Sequence, residues 1–245
     1  MIIALAALLA AAAPADTGDT QRYQACLATA GSEPAKAIPE ATKWIGAGGG
    51  VPARHCLALA YLANKEYVPA SLALEGAARA AEALKDPHVG ELWGQAGNAA
   101  LMGGKNDAAV GYFTSAVAAT GNDPQGRAEV LIDRARALVE LKRLDLARAD
   151  LTQATTLEPE SPFGWLLRAT LARRQNDLKG AESSIMEAVR RAPDDADVQL
   201  EAGNIAAAKG EPDLARQAWT AAAAAAPGSP AAIAATQALA GNPAK

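Results

Sequence analysis

Pro159, Pro193 and Pro227 stand 34 residues apart, and the residues before each proline repeat with them. Ala154, Ala188 and Ala222 hold one phase, Ala147, Ala181 and Ala215 a second, and Ala135, Ala169 and Gly203 a third. Leu151, Ile185 and Trp219 form a large apolar set at the same interval. Small residues at fixed phase let two helices approach closely, and the large residue fills the space beside them. A fixed period of this length marks a unit that buries its apolar face only by stacking on its neighbours, so most of the chain reads as one solenoid.

With a period of 34 and this small–large–small–Pro order, the chain resembles the tetratricopeptide repeat family, whose unit is a helix–turn–helix. The resemblance extends upstream with insertions. Leu57-Ala58-x-x-Tyr61 and Tyr67-x-x-Ala70 match the family pattern most closely, and Trp93, Gly97, Ala109, Phe113 and Ala116 fit a further unit. It implies an all-α, right-handed α-solenoid of about five repeats at 51–84, 90–123, 128–161, 162–195 and 196–229. Residues 16–50 are expected to form an N-terminal helical pair, and 230–245 a C-terminal capping helix with a disordered end over 241–245. Prolines and caps mark the boundaries: Asp123 before Pro124 reads as an N-cap followed by a first-turn proline. Lys142-Arg143, Asn176-Asp177 and Lys209-Gly210-Glu211 read as turns inside units. Pro212 departs from the family pattern but would stand in the first turn of a helix, where proline is tolerated.

Half of the residues are hydrophobic but only 4% are aromatic, so the core must be built from Ala and Leu, which suits close helices and disfavours sheets. The net charge of -4 comes with no basic tract longer than Arg173-Arg174 or Arg190-Arg191, which argues against nucleic acid and against an anionic membrane surface. Residues 1–15 are apolar and end in Ala13-Pro14-Ala15, a small-x-small cleavage pattern, and the run is too short to span a bilayer. The segment reads as a cleaved export signal that lacks the usual basic start, a buried N-terminal helix being the alternative. Export to the periplasm or beyond makes a Cys26–Cys56 disulfide the expected state of the two cysteines. Two buried thiols remain open, and zinc is disfavoured because His55 adds at most a third ligand.

Catalysis is not expected. His55 and His88 are the only histidines, neither accompanies a nucleophile motif, and Gly48-Gly49-Gly50 lacks the Lys-Ser/Thr of a phosphate loop. No cofactor and no metal is expected. What the family resemblance implies is a protein or peptide partner, bound in a concave groove lined by the first helix of each unit, with a monomer favoured. At the groove phases stand Leu59, Leu62, Asn98, Leu101, Arg136, Phe163, Leu166, Thr170, Arg173 and Asn204. An Asn amide offers donor and acceptor to an extended peptide, and several apolar side chains in one concavity would mark an interface. The competing readings are solvated polar residues and a one-residue phase shift that would put the apolar set in the core. The family's carboxylate clamp is not supported, because the first unit is apolar at that face. Trp93, Trp165, Trp219, Tyr61 and Phe113 are expected in the core.

Overall fold

The computed structural model describes residues 17–241, all in helices and the turns between them. The expected signal at 1–15 and the last four residues of the expected disordered end lie outside the described residues; Gly241, the first of that end, closes the last helix. The helices are α1 (Thr17–Ser32), α2 (Pro34–Gly46), α3 (Gly50–Ala63), α4 (Tyr67–Leu84), α5 (Val89–Met102), α6 (Asn106–Ala119) and α7 (Pro124–Glu140). They continue with α8 (Leu144–Leu157), α9 (Pro162–Arg174), α10 (Leu178–Arg191), α11 (Ala196–Ala208), α12 (Pro212–Ala225) and α13 (Pro230–Gly241). Two compact units divide within α5, one ending at Leu92 and the other beginning at Trp93.

The boundaries follow local chemistry. The Asp123, Asp177 and Asp195 side chains accept from the backbone N–H of Gly126, Gly180 and Val198, closing donors that the first helical turn leaves open. Pro124, Pro162 and Pro212 open helices where a missing N–H is harmless. Each turn inside a helix pair places one residue in the left-handed region: Lys65, Gly104, Lys142, Asn176 and Gly210. Three of these keep the 34-residue interval, so the turn repeats even where its residue type does not.

In the first unit α1, α2 and α3 pack mutually and α3 pairs with α4. Trp44, Ala41, Ala53, Cys26 and Cys56 form a buried cluster there, and the Arg22 guanidinium lies 5.0 Å from the Trp44 ring centroid. The Cys26 and Cys56 Cα atoms are 6.2 Å apart and the two sulfurs face each other as a bonded pair.

In the second unit α7 pairs with α8, α9 with α10 and α11 with α12, and α13 covers the last pair. The packing is a small residue on the first helix against a large one sixteen positions later on the second. Ala135 meets Leu151 and Ala169 meets Ile185 in shared buried clusters. Where the large partner is aromatic the small one is glycine: a Cβ on Gly97 would collide with the Phe113 ring, and one on Gly203 with the Trp219 indole. Size is traded across each contact, glycine facing an aromatic ring and alanine facing Leu or Ile, the kind of exchange that helix packing tolerates. Trp93, Phe113 and Trp219 are buried as expected, whereas Tyr61 and Trp165, also expected in the core, are only half-buried.

Candidate functional site

The first helices α7, α9 and α11 of the second unit carry most of the predicted groove residues, and the structure places them at its surface rather than in its core. Phe163 is 49% exposed, Leu101, Leu166 and Thr170 are half-buried, and Arg136 is exposed. Leu101 and Leu166 each rest one flank on a core cluster and leave the other open. Leu59 and Leu62, half-buried on α3, belong to the first unit.

Three hollows open on these helices. One of about 380 Å³ lies between α9 and α11 and joins Phe163, Leu166 and Thr170 to Leu200 and Glu201, with Asp195 and Asp197 at its edge. A smaller one, about 180 Å³, gathers Arg136 and Val139 of α7 with Leu167, Thr170 and Arg174 of α9. The third, about 310 Å³, brings Leu101 together with Arg136 and Glu140. Phe163, Leu166, Thr170, Arg136 and Leu101 are thus brought together in overlapping hollows. Asn98, Arg173 and Asn204 line none of the three.

Those three side chains instead hold helices to one another. Asn98 Nδ2 donates to Asp133 Oδ2 at 3.1 Å, and Arg136 Nη1 donates to Asp133 Oδ1 at 3.0 Å. Arg173 grips Glu201 through both carboxylate oxygens, Nε at 2.7 Å and Nη2 at 3.0 Å, joining α9 to α11. Glu201 is buried, 6% exposed, and also accepts from Asn204 Nδ2 at 3.3 Å. Asn204 Oδ1 in turn accepts from Trp219 Nε1 at 3.1 Å. Arg134 grips the buried Asp150 in the same bidentate way, 2.8 and 2.7 Å, joining α7 to α8. That hydrogen bond, against an opposing effect of burial, raises the Arg134 pKa. The Asn98–Asp133 bond and the Arg173–Glu201 fork each link one first helix to the next and so constrain the hollows between them, whereas the Arg134–Asp150 fork holds α7 on α8.

Sequence reading missed Leu167, Glu140 and Arg174, which lie off the assumed phases. It also missed the stack around Trp165. The Trp165 indole N–H donates to the Pro159 carbonyl at 2.8 Å, and the guanidiniums of Arg168 and Arg191 lie 5.4 and 5.6 Å from its ring centroid. The ring is half-buried because cations rather than apolar side chains complete its cover.

In the first unit the Tyr23 hydroxyl and His55 Nδ1 are hydrogen-bonded at 2.5 Å, Tyr23 one turn before Cys26 and His55 next to Cys56. Burial, helped by the charge of Glu91, pushes the Tyr23 phenol above its ordinary value. Among the described residues no three His, Cys, Asp or Glu side chains are grouped to hold a metal, and no helix is long and apolar enough to cross a membrane.

The sequence model of the tetratricopeptide repeat family matches residues 132–187 and 166–230. No curated protein matches the chain. Among solved structures the fold is similar to that of pilF from Pseudomonas aeruginosa, 15% identical, with 90% of this chain and 99% of that one covered and a TM-score of 0.63. PilW, described as a widely conserved type IV pilus biogenesis factor, is 17% identical over 89% of this chain and 98% of its own, TM-score 0.68. YrrB, described as having an unusual peptide-binding site, is 19% identical over 84% and 99%, TM-score 0.55. The repeated prolines, the small–large helix contacts and these matches agree: residues 132–230 carry tetratricopeptide repeats, in a helical fold like those of the solved structures the chain resembles.

Proposed function

We propose that this protein is an exported scaffold or adaptor that holds a peptide segment or partner helix against the first-helix face of its second unit, without catalysing a reaction. The observation that carries the reading is the hollow between α9 and α11, where half-exposed Phe163 stands beside Leu166 and Leu200. An aromatic ring left in water at the mouth of an apolar hollow is an anchor waiting for an apolar side chain. Arg136 and Thr170 supply polar contacts at its α7 side, and Asn98, Arg173 and Asn204 keep the helices at the spacing the hollow needs. Leu59 and Leu62 give the first unit apolar contacts of its own.

Export is supported by the leader-like residues 1–15 and by the facing cysteines, which we assign to a disulfide in the mature protein. A second reading, a subunit of a cell-envelope assembly, draws support from the same leader together with the fold likeness to PilW. Affinity capture on the immobilised protein tests the binding reading. Phe163→Glu should reduce recovery of the captured partner at least tenfold with circular dichroism unchanged, and Arg136→Glu should reduce it less. Equal recovery with both variants moves the binding surface off this face.

A further inference from the structure

We propose a second docking surface on the opposite side of the second unit, in the groove between α10 and α12, shaped for a partner helix that presents an aromatic side chain with a basic residue about one turn away. In the interval flanked by α8 and α10, Trp165, Arg168 and Arg191 form the cation-covered stack, and Arg168 reaches Thr155 Oγ1 on α8 at 3.4 Å. One period later the same three phases hold Gln199, Ala202 and Ala225, and one period earlier Leu131, Arg134 and Leu157. Only the last interval has alanine at two of the three phases, with an amide in place of the ring at the third.

The phase is fixed by a conserved bond within the molecule. Gln199 Nε2 donates to the Pro193 carbonyl at 2.6 Å, as the Trp165 indole N–H donates to Pro159 one period back. The amide keeps the hydrogen bond and gives up the ring. What remains is an open groove of about 650 Å³, with Ala202 and Ala206 on its floor and Met186 and Leu214 on its two walls. These two walls are 65% and 56% exposed.

The occupant follows from what the neighbouring interval holds there and from charge. The ring that Trp165 supplies one period back has no counterpart beside Gln199 and Ala202, so a partner's aromatic ring fits the space this backbone leaves. At one end of the groove the Lys209 ammonium sits between two carboxylates, Glu182 at 2.5 Å and Glu211 at 2.9 Å, which leaves that end net negative. A partner's Arg or Lys is attracted there, and its aromatic ring settles over Ala202 against the thioether of Met186.

The test uses the whole protein and a helical Ala/Gln host peptide carrying Trp and Arg four residues apart. Two comparison peptides replace Trp with Ala, or Arg with Glu. Amide chemical-shift titration should map the Trp/Arg peptide to Ala202, Ala206 and Ala218, with binding at least tenfold tighter than either comparison peptide. Gln199→Trp with Ala202→Arg, which refills the groove from within, should abolish binding, and so should the exposed pair Met186→Lys with Leu214→Lys if the filled variant does not fold. Equal binding of all three peptides, or undiminished binding to a folded variant, overturns the proposal. So does a homodimer that the Lys variant dissolves, because the groove then belongs to a second copy. Phe163→Glu should leave this titration unchanged, so the outcome is separate from that of the first-helix face.

Discussion

The two units solve the same problem, holding short Ala-rich helices together, by different means. The first sets Cys26 and Cys56 face to face, the proposed tie of its terminal helix, and closes around Trp44. The second has no cysteine; it spends buried charge instead, gripping Asp150 and Glu201 with Arg134 and Arg173. A staple holds one helix and is indifferent to what lies beside it. A fork between neighbouring helices sets a distance, and a face that must present hollows of fixed width needs distances set. The comparison teaches that the charged network belongs to the unit with the candidate binding faces.

The largest effect should come from breaking a fork on one side only. Arg173→Met leaves Glu201 buried without its partner and should destabilise the second unit by about 3–5 kcal/mol in chemical denaturation. Arg173→Met with Glu201→Met should recover much of that loss while weakening partner capture, which separates stability from spacing. Next, reduction of the mature protein, or Cys26→Ser with Cys56→Ser, should cost ~3–4 kcal/mol by the chain-entropy estimate for a loop of 30 residues, read as faster hydrogen exchange confined to the first unit. Two freely titratable thiols in the native protein would remove the staple from the comparison. Gly203→Ala drives a methyl into the Trp219 indole and should cost about 1–3 kcal/mol, whereas Gly203→Ala with Trp219→Leu restores the small–large pairing of the preceding repeats and should cost less.

The smallest effect is a pH dependence at the rim of the second unit. A hydrogen bond from Arg191, against an opposing effect of burial and with the charges of Arg190 and Arg191 assisting, holds the Glu187 carboxyl below its ordinary value. The folded state therefore binds its proton more weakly than the unfolded chain does. The resulting stabilisation is present above the ordinary glutamate value of 4.5 and is lost as pH falls through the depressed one. Thermal melts of Glu187→Gln and the parent should differ at neutral pH and converge in acid.

Much of the fold was legible because its signals are local. Prolines, Asp caps and the 34-residue interval place helix ends within a few residues, and the pairing of Gly203 with Trp219 repeats that of Ala169 with Ile185. The partners of polar groups were not legible. Asn98 and Asp133 are 35 residues apart, and Arg173 and Glu201 are 28 apart, so each bond depends on rotamers across a helix interface rather than on a period. Residues on the predicted groove phases thus divide into those such as Phe163, which stays open, and those such as Asn204, which is committed to Trp219. Trp165 defied the core expectation for a related reason: its cover is two guanidiniums, one of them 26 residues away. The open groove by contrast was written in the sequence, as Trp–Arg–Arg giving way to Gln–Ala–Ala at fixed phase.

A partner held as proposed touches the first-helix face of the second unit. Site-specific photocrosslinking in cells producing the full-length chain tests it directly, with benzoylphenylalanine placed at Phe163 or at Leu146, a comparably exposed position on the second helix α8. The account predicts a discrete higher-mass adduct from position 163 and none from 146. Adducts from 146 alone, or equal yields from both, would contradict it.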